Sequence, residues 1–340
     1  MKNTQTMSTH VATATTAKNA ILQMLRILTL LALPALAHAQ SWPAKPVKVI
    51  VPTGPGLASD LIGRVLVDKL SRQVNQQFYV ENIAGAATIL GAQAAARAAP
   101  DGYTLIMATA GTVVNNPLTI KALPYNPEKD FVPISFVGDN SFFVFAVTND
   151  LPVKTLGDLI RLEKSKPGGL SLANDVSAGV SAMVGRYLNK QAGIEIVEVG
   201  YKSAAQAIQD TIAGRTQVFV GTLAAVDTFL RAGKLRAIAA TAESKTPNNP
   251  GIPLVSETLP GFALTGFLML MAPTGTPAPI IQRMNQEVQV ALKDPEMVKR
   301  LEAFGFATTK LGSLQATQDA LNVERGRWAK VVRELGISPQ

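Results

Sequence analysis

The stretch 47-VKVIVPTGPGLASDLIGRVL-66 carries three local signals in succession. Val47, Val49, Ile50 and Val51 form a β-branched apolar run, the pattern of a buried strand. Pro52, Gly54, Pro55 and Gly56 break that run and predict a turn. Ser59 and Asp60 then open a helix whose apolar positions Leu61, Ile62, Val65 and Leu66 share one face. A strand, a glycine-bearing turn and a helix start make an anion cradle, because free N–H groups and the positive end of the helix dipole converge there. Such a cradle could also hold a nucleotide phosphate. The stretch, however, lacks both the Lys-Ser/Thr pair of a P-loop and the G-x-G-x-x-G spacing.

Outward from this stretch the same unit recurs. The run 78-FYVENI-83 predicts a strand leading into the turn and Ala-rich helix of 84-AGAATILGAQAAARAA-99. The run 103-YTLIMAT-109 leads into the polar loop 109-TAGTVVNNP-117. Further on, 170-LSLA-173, 195-EIVEV-199 and 217-QVFV-220 each precede a small polar loop and a helix, and 235-LRAIAAT-241 begins the return. Between the two sets, 131-FVPISFVGDNSFFVFAVTND-150 predicts a strand pair broken at Gly138 to Ser141. Within it, Phe142, Phe143 and Phe145 are expected in the core rather than around a ligand. Residues 155-TLGDLIRLEKSK-166 predict an amphipathic helix capped by Thr155, with Arg161 and Glu163 on its solvated face. Three C-terminal helices are expected, starting near Thr276-Pro277, at Asp294-Pro295, and over 313–334. Alternating strands and helices predict doubly wound parallel sheets, with loops 52–59, 84–88 and 109–116 on one edge beyond the strand ends.

The start of the chain speaks to compartment. Residues 1–39 hold Lys2, Lys18 and Arg26 and no acid, then the apolar run 27-ILTLLALPALA-37 and Ala37-His38-Ala39. This is the pattern of a signal peptide cleaved after Ala39; the run is too short for a membrane span and is interrupted by Pro34. The mature protein is therefore expected to be soluble and exported. Removing the three leader cations from 32 Lys+Arg leaves 29 against 24 Asp+Glu, a net charge of +5. That surplus is spread out, without a basic run, which argues against nucleic acid binding. There is no cysteine, and both histidines, His10 and His38, lie in the leader. The commonest general base, the Ser-His-Asp and Cys-His systems, and nitrogen or sulfur metal ligands are thereby excluded from the mature chain. No carboxylate cluster with metal-site spacing and no G-x-S-x-G elbow stands out, so neither a metal, a cofactor nor catalysis is expected.

These stretches resemble the extracytoplasmic solute receptors of the tripartite tricarboxylate transporters, the Bug family. The resemblance runs through 52-PTGPGLASD-60, 82-NIAGA-86, 99-APDGYTL-105, 123-LPYNPEKDFVPI-134, 200-GYK-202, 232-AGKLRAIAAT-241 and 271-MAPTGTP-277. It implies an α/β fold of the type II periplasmic binding protein kind, two doubly wound domains with a ligand cleft between them. Domain 1 would comprise 40–142 and 245–340, and domain 2 would comprise 143–244. It further implies a monomeric periplasmic protein that holds a small carboxylate by backbone amides, hydroxyls and water, and passes it to membrane transporter subunits. Carried over by position, the first-domain ligand contacts would be Thr53, Gly54, Gly56, Ser59, Ala86, Thr109, Gly111 and Thr112, with Asp60 closing the loop. The second-domain contacts would be Asn174, Ser177, Gly179, Ser181, Tyr201, Lys202 and Thr222.

Three departures bear on the ligand. Leu57 stands where the family's opening loop usually has a second glycine, and would give the cleft an apolar wall. The loop 221-GTLAAV-226 lacks the acid often found there, which disfavours amino acids as ligands. Ser203 replaces the glycine of the usual Tyr-Lys-Gly. A dicarboxylate, an aromatic carboxylate or a neutral analogue stay open. So does a role as ligand-sensing accessory of a signalling system, beside transport and, more remotely, a His- and Cys-independent α/β enzyme.

Overall fold

The computed structural model describes residues 42–174, 180–201, 203–245, 247 and 250–339. The leader, and the expected contacts Ser177, Gly179 and Lys202, lie outside them. From Lys45 onward the chain is one unit. Its strands are β1 (Val47–Val51), β2 (Phe78–Asn82), β3 (Thr104–Thr109), β4 (Phe131–Thr148), β5 (Ser171–Asn174), β6 (Val197–Gly200), β7 (Val218–Thr222), β8 (Leu235–Ala240) and β9 (Thr265–Pro273). Its helices are α1 (Ala58–Val74), α2 (Ile89–Ala96), α3 (Asn116–Thr119), α4 (Leu156–Ser165), α5 (Val180–Ala192), α6 (Ala204–Ile212), α7 (Leu223–Arg231), α8 (Ala278–Ala291), α9 (Pro295–Ala303) and α10 (Leu314–Glu334). A π-helical turn, Gly111–Asn115, joins β3 to α3.

Among the described residues the strands form a sheet in the order β2-β1-β3-β9-β4-β7-β5-β6, with β8 also paired to β4. The β1–β2, β1–β3, β5–β6 and β5–β7 pairs are parallel, as strand–helix alternation demands. The centre departs from the parallel expectation: β9 runs antiparallel to both β3 and β4, and β4 antiparallel to β7 and β8. These antiparallel contacts are where the chain passes between the two sets of units.

The predicted strand pair at 131–150 is one 18-residue strand. Its first part pairs with β9 and its last part with β7 and β8. The polar break does not end it, because the backbone of Asp139 pairs with that of Ala307 and the Asn140 side-chain Oδ1 accepts from the Glu243 N–H. The break instead absorbs register shifts against β9. Gly138 is required there: a Cβ would come within 3.0 Å of both Leu301 and Phe306.

Other local expectations fare unevenly. Thr155 caps α4 in a full capping box with Asp158, and Asp294 and Ser313 cap α9 and α10. Thr276 does not cap α8; its hydroxyl bonds back to the Pro273 carbonyl, and Pro277 precedes the first turn. Glu163 is not solvated but 1% exposed, its carboxylate accepting the N–H groups of Gly168 (2.6 Å) and Leu170 (3.1 Å). The turn after the helix, not the helix face, needs that acid. Phe142 and Phe145 are buried in the core as expected, whereas Phe143 is only partly covered. Among the described residues no helix is long and apolar enough to cross a membrane.

Candidate functional site

The turn after β1 is held by its own polar side chains. Thr53 and Ser59 share a hydroxyl–hydroxyl bond of 2.6 Å across the loop. Asp60 is 1% exposed and does not cap α1; Leu57 occupies the cap position without a side-chain bond. The Asp60 carboxylate instead accepts from the Gly56 N–H (2.9 Å), Asn82 Nδ2 (3.0 Å) and the Arg64 guanidinium (3.0 Å). Asn82 also donates to the Thr53 carbonyl at 3.1 Å. Burial pushes the Asp60 carboxyl up, but the Gly56 N–H, Arg64 and Asn82 together outweigh it and hold the group below its ordinary range. Asp60→Ala should therefore cost about 2 kcal/mol at neutral pH, in line with a lost charged hydrogen-bond set. Because the folded-state pKa is lowered, that contribution exists above the ordinary value of 3.8 and fades as pH falls through the folded value. Urea unfolding of parent and variant at pH 7 and pH 3 should show the gap narrowing.

The second loop adopts left-handed backbone at Ala86, Ala87 and Thr88, with φ of 45°, 52° and 77°. Three such non-glycine residues in a row are costly and persist only when held from outside. Asn116 Nδ2 donates to the Ala87 carbonyl at 2.8 Å, and the Thr112 hydroxyl donates to Thr88 Oγ1 at 3.0 Å. Thr112 in turn meets Thr109 Oγ1 at 3.0 Å, and Tyr125 donates to the Thr112 carbonyl at 2.6 Å. Loops 52–59, 84–88 and 109–116 are thus tied to the same edge of the sheet, Asn82 joining the first to β2 and Thr112 joining the third to the second.

Beside this edge lies a cavity of about 300 Å³. Its wall takes Leu57, Ala58 and Ser59 from the start of α1, and Thr109, Ala110, Gly111 and Asn115 from the end of β3 and the π-helical turn. Val180 from the first position of α5 and Thr222, the cap position of α7, face them. Ser141 and Phe143 of β4, residues 265–268 of β9, Phe306 and Trp328 complete the wall. Four helical N-termini therefore border one space. None of the described residues that line it is charged. Two larger surface hollows, of about 910 and 860 Å³, contain none of the residues expected in a site and no converging strand ends. Among the described residues no group of three or more acids or histidines could hold a metal ion.

A model of the tripartite tricarboxylate transporter family receptor matches residues 62–337. The chain belongs to that receptor family. BugT of Bordetella pertussis is 32% identical over 305 residues, covering 89% of this chain and 93% of BugT. A UPF0065 protein of Bordetella bronchiseptica is 31% identical, with 92% of each chain covered. Among solved structures, an R. palustris protein with adipate matches with TM-score 0.74 at 28% identity, covering 88% of this chain and all of that one. MatC from Rhodopseudomonas palustris with bound malate matches with TM-score 0.69 at 28% identity over 86% of this chain and all of that one. The chain thus has the periplasmic binding protein fold of a Bug-type receptor, and its family consists of substrate-binding receptors rather than enzymes.

In this receptor the expected contacts separate into three groups. Leu57, Ser59, Thr109, Gly111 and Thr222 line the cavity. Thr53, Gly54, Gly56, Asp60, Ala86 and Thr112 lie in the adjoining loops, and their visible work is to shape them; Thr112 is fully buried. Asn174, Ser181 and Tyr201 do not line it. Asn174 is buried and donates to Glu198 at 2.9 Å, Tyr201 donates to Asp210 at 2.9 Å, and Ser181 is buried in the first turn of α5. The sequence reading missed Asn115, Ser141, Phe143, Val180, Thr265, Phe267, Phe306 and Trp328. Asn115 lies in the loop 109–117 and Ser141 in the polar break already singled out, Val180 follows an expected contact, and Phe143 reads as core; the others are apolar or strand residues whose stripe pattern is that of any core.

Proposed function

We propose that the receptor captures a small carboxylate in this cavity and delivers it to the membrane subunits of a tripartite tricarboxylate-type transporter. The observation that carries the proposal is the meeting of four helical N-termini, those of α1, the π-helical turn, α5 and α7, around a cavity whose described lining residues are uncharged. Each brings N–H groups and the positive end of a peptide dipole, the ordinary means of holding an anion without a cation. The adipate and the malate found with two structural neighbours support a carboxylate. The absence of acid from the described lining residues disfavours a ligand ammonium, which would be buried unpaired among them.

The same reading includes a division into domain 1 (40–142 and 245–340) and domain 2 (143–244), with closure bringing Val180 and Thr222 onto a ligand first held by α1 and β3. It also includes cleavage after Ala39, which leaves a periplasmic monomer. The test is a ligand panel on the mature chain by thermal shift and calorimetry. Benzoate, adipate, succinate and malate should include at least one acid that stabilises the protein, by about 2.7 kcal/mol at a hundredfold excess over its Kd. If no acid stabilises it, or one is turned over, the proposal is wrong.

A further inference from the structure

Asn115 and Trp328 both line the cavity, and both carry polar atoms with no hydrogen-bond partner: Nδ2 and Oδ1 of Asn115, and Nε1 of Trp328. Asn115 is 4% exposed and Trp328 is fully buried. Polar atoms that deep are normally paired, and an orphan is a liability to the fold. Here two residues that line one space carry three such atoms, each shielded from solvent. Asn115 also closes the π-helical turn, a rare distortion that concentrates at functional positions. α10, which carries Trp328, packs against that turn. The polar neighbours of Asn115 are already committed elsewhere: Asn116 bonds to Ala87, and Thr119 bonds to the Asn115 carbonyl. No hydrogen bond therefore restrains the Asn115 amide from turning into the cavity.

Resting on the carboxylate reading, we infer that Asn115 and Trp328 form a subsite that reads a hydroxyl group on the ligand. The chemistry of the orphans selects that group. Trp328 Nε1 and Asn115 Nδ2 only donate, and Asn115 Oδ1 only accepts. A second carboxylate would accept from the donors but leave Oδ1 unmet. An ammonium would satisfy Oδ1 and leave the N–H groups unmet. A hydroxyl accepts and donates together. The surrounding wall of Phe143, Phe267 and Phe306 suits an apolar body bearing that hydroxyl.

Calorimetric titration of the full mature chain with benzoate against 4-hydroxybenzoate, and succinate against malate, tests this. In at least one pair the hydroxylated acid should bind about tenfold more tightly, the factor that corresponds to about 1.4 kcal/mol. Trp328→Phe and Asn115→Leu should each bring that ratio close to one. Asn115→Leu should also melt no lower than the parent when unliganded, since it deletes a partnerless amide; a purely structural asparagine would give a lower melting temperature and count against the inference. Equal affinities within both pairs, or a preference that survives both substitutions, would overturn it. If neither these four acids nor adipate binds, the carboxylate reading fails and takes this subsite with it; binding of adipate alone would keep that reading and overturn the subsite.

Discussion

Lys310→Met is expected to cost the fold about 3–5 kcal/mol, the range for removing one partner from a buried ion network. Lys310 Nζ lies 2.7 Å from Glu243 and 2.6 Å from Glu324, and the Arg327 guanidinium lies 2.7 Å and 3.1 Å from the same two carboxylates. The Glu324 side chain is wholly shielded from solvent. The network joins four parts of the chain: Glu243 after β8, Lys310 before α10, Glu324 and Arg327 on α10, and β9 through a Thr265 hydroxyl on Glu243. The Lys310 N–H also donates to Asp139 of β4 at 2.8 Å. These are the crossings that set α10, and with it Trp328, against the cavity wall.

The same network makes the variant's pH response predictable in sign. Burial works against the Glu243 charge, but Lys310 and Arg327 outweigh it and bring its pKa down to about 2. The stability this contributes is present above the ordinary 4.5 and is lost as pH falls toward 2. Glu324 runs the other way: burial raises its pKa, so its contribution is complete below the ordinary value and declines as pH rises through the folded one. Without Lys310 the Glu324 charge keeps only Arg327, and its pKa climbs further. Lys310→Met should thus regain more stability than the parent as pH falls from 7 to 5. Lys310→Met/Glu324→Gln should be more stable than Lys310→Met alone. Urea unfolding at the two pH values reads both; a single variant that unfolds within 1 kcal/mol of the parent at pH 7 would show the network to be energetically slack.

What was legible in the sequence follows how local each interaction is. The strand, turn and helix of 47–66 are written in adjacent residues, and so are the capping box at Thr155 and the cap at Asp294. Glu163 was misjudged because the groups it satisfies, the N–H of Gly168 and Leu170, follow the helix rather than lie on it. The long β4 reads as two strands in the sequence because its polar centre is paired by Ala307 and Glu243, more than a hundred residues away. The cavity divides the same way. Its α1, β3 and β7 corners were visible as turn and cap residues at strand ends. Its β9 and α10 wall was not, since Phe267 and Trp328 have the spacing of core residues and only their placement shows that they face a space. Asp60 was expected at a helix start and lies there, yet its carboxylate holds the preceding loop rather than capping the helix.

Placing an indole on the cavity wall from either side should remove ligand binding while sparing the fold. Thr222→Trp and Gly111→Trp are the informative pair. Thr222 is partly exposed and makes no side-chain cap bond to α7. Gly111 is partly exposed and does not have the left-handed φ that would penalise a side chain; a Cβ there would meet only Thr109 Oγ1, at 3.3 Å. Neither position supplies a side-chain bond to the loops around Thr112 or Asp60; the Cβ at 111 asks only a small shift of Thr109 Oγ1, a partner of Thr112. A space of about 300 Å³ cannot take an indole and a small acid together. Affinity for whichever carboxylate binds the parent should fall by about two orders of magnitude, a loss of about 2.8 kcal/mol. The unliganded melting temperature should move by only a few degrees. Thr112→Trp makes the contrast: Thr112 is fully buried between three partners, so it should lower the melting temperature sharply whether or not a ligand is present. The two positions also separate the steps of capture. If α1 and β3 meet the ligand first and α7 closes over it, Gly111→Trp should slow association, and Thr222→Trp should mainly speed dissociation. Stopped-flow titration distinguishes these, and unchanged affinity in both variants would place the ligand elsewhere on the protein.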